Sequence, residues 1–277
     1  MFITQFVSIK SLFKHASFPA FVLTVALCFE GALALTDILS KRKERALTAR
    51  LEQLAQQQRA EVGLTVALPK IELSYRAARR CHLTIYRQYY LEGKEGIAKT
   101  AWALYPLFYL KASQDALFWT HYCGNKIVVS SIAAMRDAEE LDFELAHALG
   151  HILLNQRNPS FETTAKLRRS DRAKADYLLM LAEGFSDWLA VKTLGKENGK
   201  AAFVERSRLE SYRTVRELEF DLGPLLNSRY FNSSALSYGF VHKIVSKAGR
   251  AGLERIIRAP PQELAALLEP ESYAIKH

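Results

Sequence analysis

Two histidines spaced four residues apart are the side chains of this sequence best placed to do chemistry. His147 and His151 lie in the segment 140–154, in which apolar residues recur at helical spacing. On an α-helix, residues i and i+4 project from the same face, one turn apart. Two imidazoles arranged in this way can reach one metal ion from the same side. The spacing therefore predicts half of a metal site on an amphipathic helix.

The residue that follows the first histidine departs from a known pattern. In the zinc-binding motif His-Glu-x-x-His, this position holds a Glu that acts as the general base. The sequence has Ala148 there instead. A methyl group cannot accept a proton, so we expect the metal ligands to be present and the usual base to be absent.

A third metal ligand is predicted on a later helix. The segment 171–194 has helical periodicity and contains Ala-Glu-Gly-Phe-Ser-Asp. Its Glu183 is the candidate third protein ligand of a Zn²⁺ ion, and Asp176, two turns earlier, is the reserve candidate. Asp187, one turn after Glu183, can accept the free N–H of a ligand histidine and fix the orientation of its ring.

Residues 126–195 resemble the gluzincin metallopeptidases. A short β-branched segment, Lys126–Ile132, precedes the histidine helix, whose central sequence is Leu-Ala-His-Ala-Leu-Gly-His-Ile. This block resembles the small membrane-associated and periplasmic minigluzincins, in which a strand is followed by Glu-Leu-Ala and then Ala-His-Glu-Leu-Gly-His. The block that begins at Glu183 is similar to the Glu-Gly-Phe-Ala element of thermolysin-like aminopeptidases.

The resemblance implies a fold, a cofactor and a substrate. The fold is α+β, a mostly helical zincin-like metallopeptidase domain with a small sheet next to the active-site helix. Zn²⁺ is held by His147, His151 and Glu183, with Asp187 behind them, and the substrate is an extended peptide or an unfolded protein. The implied function is zinc-dependent hydrolysis of peptide bonds, inactive or nearly so in this chain because Ala148 replaces the general base.

Two explanations of Ala148 remain open. One is an engineered inactivation of a working peptidase. The other is a natural, catalytically dead pseudopeptidase that acts as a zinc-containing binding or scaffold protein of the cell envelope. A substitute base is a third idea: Glu144 lies one turn before position 148 on the same helix face.

Two tyrosines are candidates for stabilising the oxyanion of a tetrahedral intermediate, as a Tyr does in related enzymes. They are Tyr238, in a segment with helical periodicity, and Tyr230 just before it. For each of them, a packed aromatic of the core is the competing interpretation.

The first 34 residues have the composition of a signal peptide or an N-terminal anchor. Lys10 and Lys14 precede an apolar run, 18–29, and the small-x-small sequence Ala32-Leu-Ala34 follows. The run is shorter than the ~20 residues that span a bilayer. We therefore expect an extracytoplasmic protein, periplasmic or secreted, with residues 18–38 serving as the anchor if they are not removed.

The cysteines are consistent with an oxidising compartment. Cleavage after Ala34 would remove Cys28 and leave Cys81 and Cys123. An even number of cysteines favours a disulfide between the remaining two, although two free thiols explain the count nearly as well.

Composition and charge limit the remaining possibilities. The chain has 277 residues, of which 49% are hydrophobic, and this is enough for one sizeable core. The net charge of +9 is scattered over the sequence. It predicts a solvated surface that can face a membrane, and it does not form a nucleic-acid-binding pattern. The domains expected are 1–34 (signal or anchor), 35–62 (an N-terminal helix) and 63–277 (the zincin-like domain).

Overall fold

The computed structural model describes residues 18–91, 109–112, 114, 120–123, 126–162, 170–217, 231–261 and 265–275. In this part of the protein, helices surround one small sheet, so the mostly helical α+β class is confirmed. The α-helices are α1 (Phe18–Val62), α2 (Tyr75–Leu91), α3 (Ala138–Arg157), α4 (Pro159–Glu162), α5 (Arg172–Leu194), α6 (Gly199–Glu217), α7 (Phe231–Arg258), α8 (Ala265–Leu268) and α9 (Pro270–Ile275).

The sheet has two outer strands and one central strand, β3. The strand order is β1-β3-β2, with β1 parallel to β3 and β2 antiparallel to it. Ile127 of β3 is fully buried and pairs with Ile71 on one side and Tyr122 on the other. The strands are β1 (Lys70–Leu73), β2 (His121–Cys123) and β3 (Lys126–Val129).

The predicted strand at 126–132 forms but ends early, at Val129. The Ser130 hydroxyl accepts a hydrogen bond from the backbone N–H of Ile132 at 3.2 Å, which turns the chain. A short 3₁₀ helix, Ala133–Met135, then leads to α3. The segment 64–73 alternates weakly and contains Pro69, which predicts an edge strand or a loop. It contains β1, an outer strand of the sheet, so this prediction is confirmed.

Helix α3 is the element that carries the two histidines. It begins after Asp137, whose carboxylate accepts a hydrogen bond from the backbone N–H of Glu139 at 2.7 Å and so caps the helix. Its apolar face is fully buried through Leu145, Leu149 and Ile152. That face packs in one cluster with the sheet and with α1.

Helix α1 runs without interruption across the predicted cleavage position after Ala34. Leu47, Leu51 and Leu54 recur at helical spacing, which predicts a narrow apolar stripe near the C-terminal end of α1. All three are buried, so the prediction is confirmed. Arg50 ties this end of α1 to α3 through a two-pronged ion pair with Asp142. Among the residues described, no helix is both long enough and apolar enough to cross a membrane. Residues 1–17 lie outside the described part.

A larger core joins α3 to α5, α6 and α7. Gly249, whose place between two segments of helical periodicity predicts a stop between two helices, is a kink within α7. It has φ 55°, a conformation that favours glycine, and helical segments lie on both sides of it. Residues 218–230, whose Gly223-Pro224 pair predicts a helix break, lie outside the described part of the chain.

Cys81 of α2 and Cys123 of β2 form a disulfide, with their Cα atoms 6.0 Å apart. The pairing expected from the cysteine count is therefore present. It attaches the outer strand β2 to α2, while the remaining cysteine, Cys28, is exposed and free.

We expect loss of this disulfide to lower the free energy of unfolding by about 4 kcal/mol, the entropic contribution of a cross-link over the observed separation of 42 residues. The measurement is chemical denaturation of a Cys81→Ser/Cys123→Ser variant, with Cys28→Ser as the matched control. Equal unfolding midpoints for the two variants would show that the cross-link contributes nothing.

Candidate metal site

Close packing of α3 against α5 brings the three predicted ligands together. Gly150 lies against the backbone of Ser186, where a Cβ atom added at Gly150 would be only 2.7 Å from the Ser186 Cα. On the far side of α5, Gly184 packs in the same way against Ser237 and Tyr238 of α7. Small residues at these crossings let the helix axes approach, so that the side chains of one helix reach those of the next.

The donor atoms of His147, His151 and Glu183 converge on one point. The two Nε2 atoms of the histidines lie 3.0 Å apart. Glu183 places Oε2 at 3.4 Å from Nε2 of His147 and Oε1 at 3.5 Å from Nε2 of His151. All three side chains are partly exposed, so the cluster is open to solvent.

These separations fit a small tetrahedral ion. Ligand atoms bound to Zn²⁺ at about 2.0–2.1 Å in tetrahedral geometry lie roughly 3.3 Å from one another. The observed distances of 3.0, 3.4 and 3.5 Å are close to that value, although the last two run to different oxygens of Glu183. With one donor atom per residue, all three donors lie within 4.8 Å of one another. Two imidazoles and one carboxylate also form a donor set that Zn²⁺ prefers. The reserve candidate, Asp176, does not belong to this cluster.

Asp187 lies behind His147, as predicted. The Nδ1–H of His147 donates a hydrogen bond to Oδ1 of Asp187 at 2.9 Å, which directs Nε2 of the same ring toward Glu183. The other oxygen of Asp187 accepts a hydrogen bond from Nε of Arg208 at 2.8 Å. Arg208 is on α6, so three helices contribute to this layer of contacts.

The electrostatics of the cluster match its chemistry. Burial alone would lower the pKa of His147, but the hydrogen bonds to Asp187 and Glu183 outweigh it and raise that pKa to about 10. Burial would raise the pKa of Glu183, but the neighbouring His151 and His147 hold it well below its ordinary value. The carboxylate is thus ionised at neutral pH, and a metal ion that binds must displace a proton from His147.

Ala148 faces away from solvent. It is 3% exposed, and it belongs to the apolar cluster formed by α3, the sheet and α1. The position that holds a Glu in the pattern His-Glu-x-x-His is thus occupied by a small side chain at the edge of the core.

Glu144, the possible substitute base, is held by the chain that enters β2. Its carboxylate accepts a hydrogen bond from the backbone N–H of Thr120, directly before that strand. Burial raises the pKa of Glu144, and the nearby His147 and the Thr120 N–H offset the effect only in part. Glu144 therefore joins the histidine helix to the residue that directly precedes the outer strand.

Tyr238 is fully buried, and its hydroxyl has no hydrogen-bond partner among the described residues. Burial raises the pKa of Tyr238, and Glu205 and Asp187 add to the effect through their negative charges. A hydroxyl in this place is a packed core group and is not exposed to substrate, which favours the competing interpretation. Tyr230, the other candidate, lies outside the described residues.

Sequence reasoning missed Arg208 and Thr120. Arg208 lies in a highly charged helix in which nothing distinguishes it from its neighbours. Thr120 contributes a backbone N–H, which no side-chain pattern can reveal. From helical spacing alone, the sequence could indicate only that Arg208 lies on the same helix face as Glu205, one turn earlier.

No protein-family model matches the sequence, and comparisons with curated proteins and with solved structures also found no match.

Proposed function

We propose that this chain has the scaffold of a zinc metallopeptidase and that, with Ala148 in the general-base position, it is inactive or nearly so. The observation that carries the proposal is the convergence of His147, His151 and Glu183, whose donor atoms, one per residue, all lie within 4.8 Å of one another. A zincin-like arrangement of the domain is part of this proposal.

The choice of zinc follows from the donors. Harder ions such as Mg²⁺ and Ca²⁺ prefer oxygen ligands, whereas two imidazoles and a carboxylate with an open fourth position are typical of catalytic Zn²⁺. When bound, zinc would supply a Lewis acid that polarises a peptide carbonyl and makes water acidic. The chain's own residues hold the ion, and Asp187 keeps the ring of His147 in the required orientation.

The sheet supports a peptide as the substrate. β2 is an outer strand of the order β1-β3-β2, and Thr120, the residue directly before it, is hydrogen-bonded to Glu144 of α3. An extended peptide can add to the edge of such a sheet by main-chain hydrogen bonds. In that position the peptide would run close to the helix that carries the histidines.

A second function is favoured by one observation, the burial of Ala148 within an apolar cluster. A chain with a small, buried apolar residue at the base position is suited to hold zinc without catalysis. Such a protein would be a pseudopeptidase that binds partners at the cell envelope.

An extracytoplasmic location also belongs to the proposal. The disulfide between Cys81 and Cys123 supports it, because disulfides persist in oxidising compartments. The apolar run at 18–29 and the net charge of +9 agree with export and with association at a membrane surface.

Metal analysis of the purified protein is the direct test. We expect one zinc ion per chain after growth with zinc, its removal by a chelator, and its return on reconstitution. If the chain takes up no zinc, even from micromolar free metal at pH 8, the cluster is an internal hydrogen-bond network. That result would overturn both the peptidase and the zinc-holding scaffold hypotheses.

A further inference from the structure

Arg208 joins a third helix to the ligand cluster. Its Nε and Nη2 atoms both lie 2.8 Å from Oδ2 of Asp187, while Oδ1 of Asp187 accepts the hydrogen bond from His147. Each oxygen of the carboxylate thus has its own partner. We propose that Arg208 is a positioning residue for the metal ligand His147, acting through Asp187. The inference rests on the proposed metal site.

Burial strengthens the ion pair between Arg208 and Asp187. The side chain of Asp187 is 6% exposed and that of Arg208 is 17% exposed, so little water competes with the pair. Charges interact more strongly where the effective dielectric constant is low. The planar guanidinium presents two donors in a fixed fork, and both lie on Oδ2 of Asp187, so they hold the position of that oxygen.

Helix α6 is itself anchored to the histidine helix. The carboxylate of Glu139 in α3 accepts a hydrogen bond from the backbone N–H of Gly199 at 2.9 Å, and Glu140 lies 3.4 Å from Nζ of Lys200. The start of α6 is therefore tied to the start of α3. Arg208 approaches Asp187 from a helix whose place relative to His147 is already set.

Arg208 therefore affects metal binding through two successive contacts, first with Asp187 and then with His147. If the guanidinium is removed, the carboxylate of Asp187 loses one of its two supports and can rotate. The ring of His147 then loses the fixed acceptor that directs Nε2 toward Glu183. Mutation of residues that orient metal ligands typically costs about 10- to 100-fold in metal affinity. We expect the lower end of that range, about tenfold, because Arg208 acts through one further residue.

The experiment compares two arginines that each pair with an aspartate. Arg208→Met removes the contact to Asp187. Arg50→Met is the matched control, because Arg50 makes a two-pronged pair with Asp142 of the same helix α3, outside the ligand cluster. Zinc affinity is measured by competition with a chelating dye, and the absorption spectrum of the Co²⁺ form reports the ligand geometry. Thermal unfolding of each variant shows that it is folded.

We expect Arg208→Met to bind zinc about tenfold more weakly with an altered Co²⁺ spectrum, and Arg50→Met to bind as the unmodified chain does. Arg208→Lys should recover part of the loss, since it restores the charge without the fork. In an Asp187→Asn background, Arg208→Met should cause no further loss, because its path to His147 is already changed.

Additive losses in the Asp187→Asn background, or equal effects of Arg208→Met and Arg50→Met, would overturn the positioning role while leaving the metal site intact. Failure of the unmodified chain to bind zinc or Co²⁺ would overturn the proposed function together with this inference. Zinc binding by the unmodified chain, measured first, therefore distinguishes failure of the proposed function from failure of this inference.

Discussion

Ala148→Glu should convert the chain into a zinc-dependent peptidase. A correctly placed general base contributes about 100- to 10,000-fold to the rate of such reactions. In the α3 helix, residue 148 directly follows the ligand His147, and the prediction requires that a longer side chain at this buried position reach the ligand cluster. We expect hydrolysis of casein, or of the protein's own chain, to rise by that factor over the unmodified protein. The rise should disappear with a chelator and return with zinc.

Ala148→Gln is the matched control for this prediction. Gln has the same size as Glu but cannot take a proton, so the Gln variant should bind zinc and remain inert. Both variants enlarge a side chain that is 3% exposed, and overpacking costs about 1–3 kcal/mol. Their unfolding temperatures should therefore fall together. One result would favour the scaffold function over the peptidase. In it, the Ala148→Glu variant binds zinc but cleaves nothing, while the unmodified chain binds an unfolded polypeptide.

His151→Ala should nearly abolish metal binding. The binding free energy of a structural zinc site with four ligands is typically about 10–16 kcal/mol. The loss of one imidazole then costs about 3–4 kcal/mol, or roughly 100- to 1000-fold in affinity. Nε2 of His151 is also 3.5 Å from Oε1 of Glu183, so the variant leaves that carboxylate without one of its two neighbouring imidazoles. Calorimetric titration of the metal-free protein with zinc measures the change directly.

The matched control is His242→Ala. His242 is a half-buried histidine of α7 that stacks on Tyr238 with ring centroids 6.3 Å apart, and it is not in the ligand cluster. Its loss should cost stability without changing zinc affinity. Equal zinc affinities in His151→Ala and in the unmodified protein would show that the cluster is not where the metal binds.

Much of the local structure around the site could be predicted from the sequence. The register of α3 was evident from its apolar residues, and the same register places His147 and His151 on one face. Asp137 and Asp171 are found as helix N-caps because each has a short carboxylate that can accept a hydrogen bond from the first turn. These features depend on contacts between near neighbours in the chain.

The strand β2 was beyond the reach of such reasoning. It has three residues, and it lies within an aromatic-rich stretch whose periodicity fits a helix as well as a strand. Its antiparallel pairing with β3 is local, since Cys123 pairs with Lys126 and His121 pairs with Val128. Its attachment to the rest of the fold depends on distant residues, through the disulfide to Cys81 and the hydrogen bond from the Thr120 N–H to Glu144.

By itself, then, the sequence determined which faces of α3 and α5 carry the histidines and the carboxylates, because helical periodicity is a local property. Only the tertiary structure decided that these faces meet. The approach depends on contacts such as that of Gly150 with Ser186, between residues far apart in the chain. The tertiary structure also places Arg208, one of many charged residues in α6, beside Asp187. This buried ion pair forms only when the helices pack together, so helical periodicity does not predict it.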